Sequence, residues 1–418
     1  MDPKRNLATQ PWMTAPPVRA VMAALAAGGE ARFVGGCVRD AVLCREVHDV
    51  DIATHLPPER VTAALQAAGI KAVPTGIAHG TVTAVTGDQH FEITTLRRDV
   101  ATDGRRAEVA FTDDWQEDAA RRDFTFNAMS MTETGAVYDY FDGLEDLAAG
   151  RVRFVGDPET RIREDVLRVL RFFRFHAFYG RGAPDVGALA AARKLAPLTP
   201  GLSGERVWAE LSRILMAPDP AAAFALMADN GVLAEVLPEA TNFARLGALA
   251  VIEAAEGCDA ASAPVRRLAA VLAADAEGAE AVAARLRLSR HGRQRLVHLA
   301  EHGATVAPDW TRADARRAIY RHGAAPYRDT VLISWAGEKA EGANHGTDAA
   351  YSALLEVGAS FAPPAFPLGG ADAQALGLAP GPGMGAALAA VEAWWLAEDF
   401  APDRAACLDR LRAVIAGR

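Results

Sequence analysis

With 418 residues, half of them apolar, the chain is long enough for two to four globular domains with at least one sizeable core. Its formal charge of −9, from 44 basic and 53 acidic residues, argues against a broad basic surface of the kind that grips nucleic-acid phosphates. The four cysteines, Cys37, Cys44, Cys258 and Cys407, are scattered without metal-ligand spacing, which excludes a disulfide framework and a cysteine zinc site and predicts reduced, structural thiols.

Residues 1–17 carry Pro, Asn, Gln and charges where a signal peptide needs a continuous apolar stretch, and no later segment offers about eighteen apolar residues in a row. A soluble, cytoplasmic protein with no membrane partner is expected, with residues 1–19 as an N-terminal extension. Residues 20–155 read as a mixed α/β domain. Ala31 to Gly35 is a short apolar strand, Val38 to Cys44 a short helix, Val50 to Thr54 a strand, and Pro58 to Ala68 a helix opened by proline. The runs Gly80 to Thr86 and His90 to Leu96 alternate with a period of two and form a hairpin across Gly87-Asp88-Gln89. From about Asp157 the pattern turns helical, in segments such as Ala183 to Leu195, Val207 to Met216, Ala221 to Met227, Ala244 to Ala255 and Ala386 to Glu398, broken by Pro and Gly. The fold class expected is α+β, with a mixed N-terminal sheet followed by an all-α remainder.

The most informative feature is Gly35-Gly36-Cys37-Val38-Arg39-Asp40 followed by Asp49-Val50-Asp51. A glycine pair ahead of a helix lets backbone amides approach a polyphosphate. Two carboxylates on one face of a strand, with Val50 and Ile52 turned to the core, suit the metal ions such a phosphate needs. Either piece alone is commonplace; together and in this order they indicate nucleotidyl transfer. Glu92, on the face opposite Phe91 and Ile93, reads either as a third carboxylate beside the Asp pair or as an ordinary exposed strand residue.

Only Lys4, Lys71, Lys194 and Lys339 are lysines, so the positive charge sits almost wholly in arginines, whose forks suit phosphates and base edges; a compositional bias of the genome is the alternative source of that pattern. Arg121 to Met129 gathers Arg121, Arg122, Asp123 and Asn127 around apolar residues. Arginines can hold a triphosphate there, and a fixed carboxylate can accept from a ribose hydroxyl. In Arg163 to Phe175, Asp165, Arg168, Arg171 and Arg174 recur every three residues as one polar stripe. The stripe reads either as a solvated helix face or as a base reader. Cytosine and adenine both present an amino donor beside a ring-nitrogen acceptor, so an Asp acceptor next to an Arg donor accepts CTP and ATP and rejects UTP and GTP.

The succession GGCVRD, DVDIAT, HGTV, EITTLRRD, DGRRAEVAFT, RRDFTFNAM, DYFDGLEDL, REDVLRVLRFFRF and GERVWAEL resembles the class II CCA-adding tRNA nucleotidyltransferase and poly(A) polymerase family over roughly Arg32 to Ala217. Leu286 to Ser289 and Gly381 to Gly385 are similar to segments of the family's helical body and tail. The resemblance implies a nucleotidyltransferase head over residues 20–155, a helical neck that recognises the base over 156–235, and a helical body and tail that hold tRNA over 236–418. It implies that Asp49 and Asp51 bind two catalytic Mg2+ ions with Glu92 in support. Gly35, Gly36 and Arg39 would meet the triphosphate, Arg122, Asp123 and Asn127 the nucleotide phosphates and ribose, and Asp165, Arg168, Arg171 and Arg174 the incoming base and triphosphate. Arg97 to Phe111 corresponds to the family's flexible loop.

The activity implied is template-independent addition of CCA to the tRNA 3' end from CTP and ATP, with pyrophosphate released and the acceptor stem as partner; no obligatory protein partner is evident. A poly(A) polymerase, or an enzyme adding only CC or only A, shares the head, and a non-catalytic tRNA-binding protein is the alternative of another class. The arginines 285, 287, 290, 293 and 295 form a dense basic run that reads either as a phosphate track or as a solvated helical face.

Overall fold

The computed structural model describes residues 1–102, 107–259, 263–342 and 345–417. They divide into two compact units, Met1–Pro238 and Glu239–Arg418. The first contains a mixed eight-stranded sheet in the order β1-β10-β9-β2-β3-β6-β5-β4, from β1 (Arg5–Asn6), β2 (Ala31–Val34), β3 (Asp51–Thr54), β4 (Lys71–Gly76), β5 (Thr81–Thr86), β6 (Gln89–Thr95), β9 (Ser130–Met131) and β10 (Ala136–Tyr138). All neighbours run antiparallel except β3 and β6, which are parallel, with Asp51 opposite Glu92 and Ile52 opposite Ile93. Period-two alternation is clean in β6, where Phe91 and Ile93 are buried while His90 and Glu92 are exposed. Helices Pro16–Ala26 and Pro58–Ala67 pack against each other and on the sheet, burying Val18, Val21, Met22 and Leu25 from one and Val61 and Leu65 from the other.

Three strands escape a reading by pattern. β4 contains Pro74, which cannot donate to a ladder and is tolerated because β4 is an edge strand; its register with β5 shifts between Val73 and Gly76. β1, inside the segment read as an N-terminal extension, pairs Arg5 with Val137 and Asn6 with Ala136. It and β9 have two residues each, too few to show a period.

Arg97 to Phe111, which the resemblance made a flexible loop, carries a two-stranded antiparallel ribbon of β7 (Arg97–Thr102) and β8 (Ala107–Phe111), with Arg97 opposite Phe111. Its connection, residues 103–106, lies outside the described residues.

The rest of this unit is mainly helical. Helices Pro158–Glu164 and Pro220–Asp229 each begin with proline at the first position and an aspartate cap, Asp157 accepting from the Thr160 N–H at 2.8 Å and Asp219 from Ala222 at 2.9 Å. The helix Arg168–Tyr179 is fixed to the head by aromatic packing: Phe175 meets Phe124 at 5.1 Å and Phe126 at 5.5 Å between ring centroids, and Phe124 meets Phe154 at 4.6 Å. Phe124, Phe126, Phe154 and Phe172 are fully buried, so sheet and helix share one core.

The second unit is helical. One core joins Leu249, Ile252, Leu299, Ile319, Trp335 and Tyr351, and another joins Met384, Val391, Trp395, Cys407 and Leu411. The helix expected to close the chain begins earlier than Ala386, at Pro382, whose ring occupies the first turn, and it is not the last, since the helix Arg404–Ala416 follows it. The described cysteines are all free. Among the described residues no helix is long and apolar enough to cross a membrane.

Candidate active site

The turn between β2 and the helix Gly36–Val42 is possible only for glycine at its first position: Gly35 has φ 71° and ψ −127°, and a Cβ there would lie 3.2 Å from Arg122 Nη1 and 3.9 Å from Asp51 Oδ2. The glycine turn, the strand carboxylate and a cleft arginine therefore converge. Asp51 opens β3 and faces Glu92 across the parallel pair. Asp49 stands two residues before that strand begins and is exposed, so the Asp pair is not carried by regular strand geometry throughout. Burial, then the Glu92 charge, push the Asp51 carboxyl up to about 6; Arg122 pulls against them and Asp49 adds to the rise.

These groups border a cleft of about 520 Å³. Seven arginines (39, 121, 122, 168, 171, 206 and 213) and three aspartates (51, 123 and 165) line it, together with Gly35, Gly36, Asn127, Leu167 and Phe175. A molecule of charge −9 thus gathers seven of its arginines around this cleft.

The arginines are aimed by a chain of hydrogen bonds. Arg39, 9% exposed, donates to both oxygens of Asp40 at 3.0 and 2.8 Å and to Asn127 Oδ1 at 2.9 Å, with its guanidinium 4.4 Å from the Tyr179 ring centroid. Asn127 donates onward to Asp123 Oδ1 at 3.0 Å, where the Phe124 N–H also arrives at 2.8 Å. Arg171 closes on Asp123 Oδ2 through Nε, at 2.7 Å, and Nη2. Burial opposes ionisation of Asp123, but Arg171, Asn127 and the Phe124 N–H more than offset it and hold the carboxyl below its ordinary range. Arg121 and Arg122 share Asp118 in the same way, at 2.8 to 3.1 Å.

The polar stripe of Arg163 to Phe175 is broken in a way its three-residue spacing conceals. Asp165 ends the helix Pro158–Glu164 in an extended conformation, φ −151°, and the next helix starts only at Arg168. Asp165 and Arg168 both line the cleft but do not bond each other. Arg168 donates to Glu164 at 2.7 Å and to the Arg161 and Arg121 carbonyls at 3.0 and 3.1 Å, while Asp165 is held by Arg206 at 2.9 and 2.8 Å. Arg174 is absent from the cleft lining and donates to the buried Glu210 at 2.6 Å. Gly35, Gly36, Arg39, Asp51, Arg122, Asp123, Asn127, Asp165, Arg168 and Arg171 therefore come together; Asp49, Glu92 and Arg174 do not line the cleft. Arg206 and Arg213 were missed. The buried Glu210 on the same helix, Gly204–Leu215, points only to the arginines that pair with it, Arg174 and Arg171, and so does not mark Arg206 or Arg213.

A mixed sheet whose glycine turn and carboxylates open onto an arginine-lined cleft defines a nucleotidyltransferase head. Residues 31–153 match the poly A polymerase head domain, and residues 187–243 match the probable RNA and SrmB-binding site of polymerase A. The chain is 49% identical over 193 residues to the mitochondrial CCA tRNA nucleotidyltransferase 1 of Danio rerio, covering 45% of this chain and 44% of that protein. It is 44% identical over 194 residues to the CCA-adding enzyme of Streptococcus pneumoniae serotype 19F, covering 46% and 47%. The chain spans about half the length of the curated relatives it matches. In structure it is similar to the Bacillus stearothermophilus CCA-adding enzyme in complex with CTP, with a TM-score of 0.71 at 27% identity over 97% of this chain and 100% of that one. Over residues 31–153 the chain belongs to the poly A polymerase head domain family.

Proposed function

We propose that the protein adds CCA to the 3' end of tRNA, using CTP and ATP and releasing pyrophosphate. The observation that carries this reading is the convergence of Gly35, Asp51 and Arg122 at the mouth of the cleft, and the names of the relatives support it. The Gly35-Gly36 turn leaves room for phosphate oxygens against backbone. Arg39 and Arg122 hold the triphosphate, Arg171 braces Asp123 near the ribose, and Asp165 with Arg168 faces the base.

Asp49, Asp51 and Glu92 offer only carboxylate oxygens, and burial, with the Glu92 and Asp49 charges beside it, raises the Asp51 carboxyl; the donor set suits Mg2+. The chemistry Mg2+ supplies when bound is activation of the 3'-hydroxyl and charge neutralisation at the α-phosphate and departing pyrophosphate. Residues 156–235 act as the neck, and residues 236–418 as the body and tail that hold tRNA. A cytoplasmic location completes the reading, in keeping with the free cysteines.

The test is incubation of the protein with labelled tRNA ending at the discriminator base, in CTP alone, ATP alone or both. The reading expects two residues added with CTP and CCA with both. A long A tail makes the protein a poly(A) polymerase, a product stopping at CC or A makes it a partial enzyme, and no product with intact tRNA binding makes it a binding protein.

A further inference from the structure

The second unit carries a cluster that the proposed reaction does not use. His298 and His302 lie four residues apart on the helix Arg290–His302, which places both rings on one face. His322 is the last residue of the helix Arg312–His322 and meets them from a second element. The three ring centroids are 4.7, 5.2 and 4.9 Å apart, and one nitrogen from each ring lies within 4.8 Å of the other two. His298 Nε2 is buried and has no hydrogen-bond partner in the protein, although a buried polar nitrogen is costly without one.

We propose that His298, His302 and His322 form a binding site for one divalent transition-metal ion, with Zn2+ as its representative occupant. Three neutral imidazoles with no carboxylate among them suit Zn2+, Co2+, Ni2+ or Cu2+ and disfavour Mg2+ and Ca2+, which take oxygen ligands. Tetrahedral zinc at about 2.0 to 2.1 Å from each nitrogen needs nitrogens roughly 3.3 Å apart, so the rings close by about an ångström or so and leave a fourth position for water.

One further feature fits a cation: His302 and His322 each end a helix, so both helices direct their partial negative ends at the cluster. The ion clasps the ends of two helices otherwise joined through a loop, and its site is separate from the carboxylates of the head.

The experiment uses tag-free, full-length protein dialysed against Zn2+ in the presence of excess Mg2+, with Co2+ titration as a spectroscopic second probe. One equivalent of Zn2+ should bind, tetrahedral Co2+ absorption should appear, and Zn2+ should raise Tm. His322→Asn, altering an exposed ring that leaves the fold intact, should lose affinity by roughly tenfold or more, since even removal of a group behind a ligand costs that much. The same loss is expected in His298→Asn and His302→Asn, while Asp51→Asn should retain the site. Failure of the wild type to bind an equivalent, or binding and Tm shift unchanged in His322→Asn, overturns the proposal.

Discussion

Both units gather arginines, and they use them in opposite ways. In the first, seven arginines line an open cleft; Arg39, Arg121, Arg122, Arg168, Arg171 and Arg206 are held by Asp40, Asp118, Glu164, Asp123 and Asp165, yet they still border open space. In the second, Arg266 is 2% exposed and donates to Glu253 at 2.5 Å and to Asp329 at 2.8 Å, with Arg267 on Glu253 at 2.6 Å and Arg295 on Asp329 at 2.5 Å. The basic run of the second unit is also largely paired: Arg285 donates to Glu239 at 2.9 Å, Arg293 meets Glu280, and Arg295 serves Asp329, which leaves Arg287 and Arg290 as exposed members with no carboxylate so assigned. An arginine cluster in sequence therefore says nothing of function until its surroundings are known: both sets are matched by carboxylates, but one lines an open cleft and the Arg266 network is buried.

The comparison breaks most visibly at Asp51. Asp51→Asn should lower kcat by on the order of a thousandfold or more, because a metal-binding charge is lost with the shape kept. The same variant should be more stable than wild type at pH 7 without metal, by about 1 to 3 kcal/mol. The sign follows from the raised carboxyl: its ionisation costs the folded state stability as pH rises from about 4, the unfolded value, to about 6. Thermal melts with and without metal decide this, and a Tm below wild type contradicts it.

In the second unit the expected order reverses. Arg266→Met leaves Glu253 and Asp329 facing each other without their shared cation and should cost about 3 to 5 kcal/mol in denaturant unfolding, with kcat per folded molecule unchanged. A loss under 1 kcal/mol would make the buried network dispensable.

A smaller effect sharpens the reading of the base. Asp165→Ala and Arg206→Ala should each relax selectivity for CTP and ATP over UTP and GTP by about 1 to 3 kcal/mol, ten- to a hundredfold in kcat/KM. Arg206 belongs in that pair because it is the residue that orients Asp165. Equal losses on all four nucleotides would make both residues scaffold.

The smallest effect is a pH dependence. Asp123 is depressed in the fold, so its stabilisation is fully present above about pH 4 and is lost as pH falls through the lower folded value. Asp123→Asn should flatten the acid limb of the stability curve, whereas Asp51→Asn should not.

The hairpin of β5 and β6 was legible because β6 alternates and the Gly87-Asp88 turn joins the two, one residue shorter than the connection read from the sequence, and Asp51 and Glu92 each stand out as charges among apolar strand residues. The glycine turn was legible because Gly35 needs a positive φ that other residues resist. The Asp165–Arg206 pair was not, since its partners are 41 residues apart on separate helices and the break at Asp165 carries neither proline nor glycine. The histidine cluster was half visible, in the four-residue spacing of His298 and His302, while its third ring depends on how two helices pack.

Equilibrium binding of CTP and ATP to Arg122→Ala and Arg285→Ala at one fixed salt concentration tests the contrast most directly. Arg122 faces the Gly35 turn, whereas Arg285 is matched by Glu239. Removal of Arg122 should weaken both nucleotides alike by about 1.5 to 3 kcal/mol, roughly ten- to a hundredfold in Kd, and removal of Arg285 should leave both unchanged. Equal weakening in the two variants, or none in Arg122→Ala, would contradict the assignment of the cleft arginines to the nucleotide.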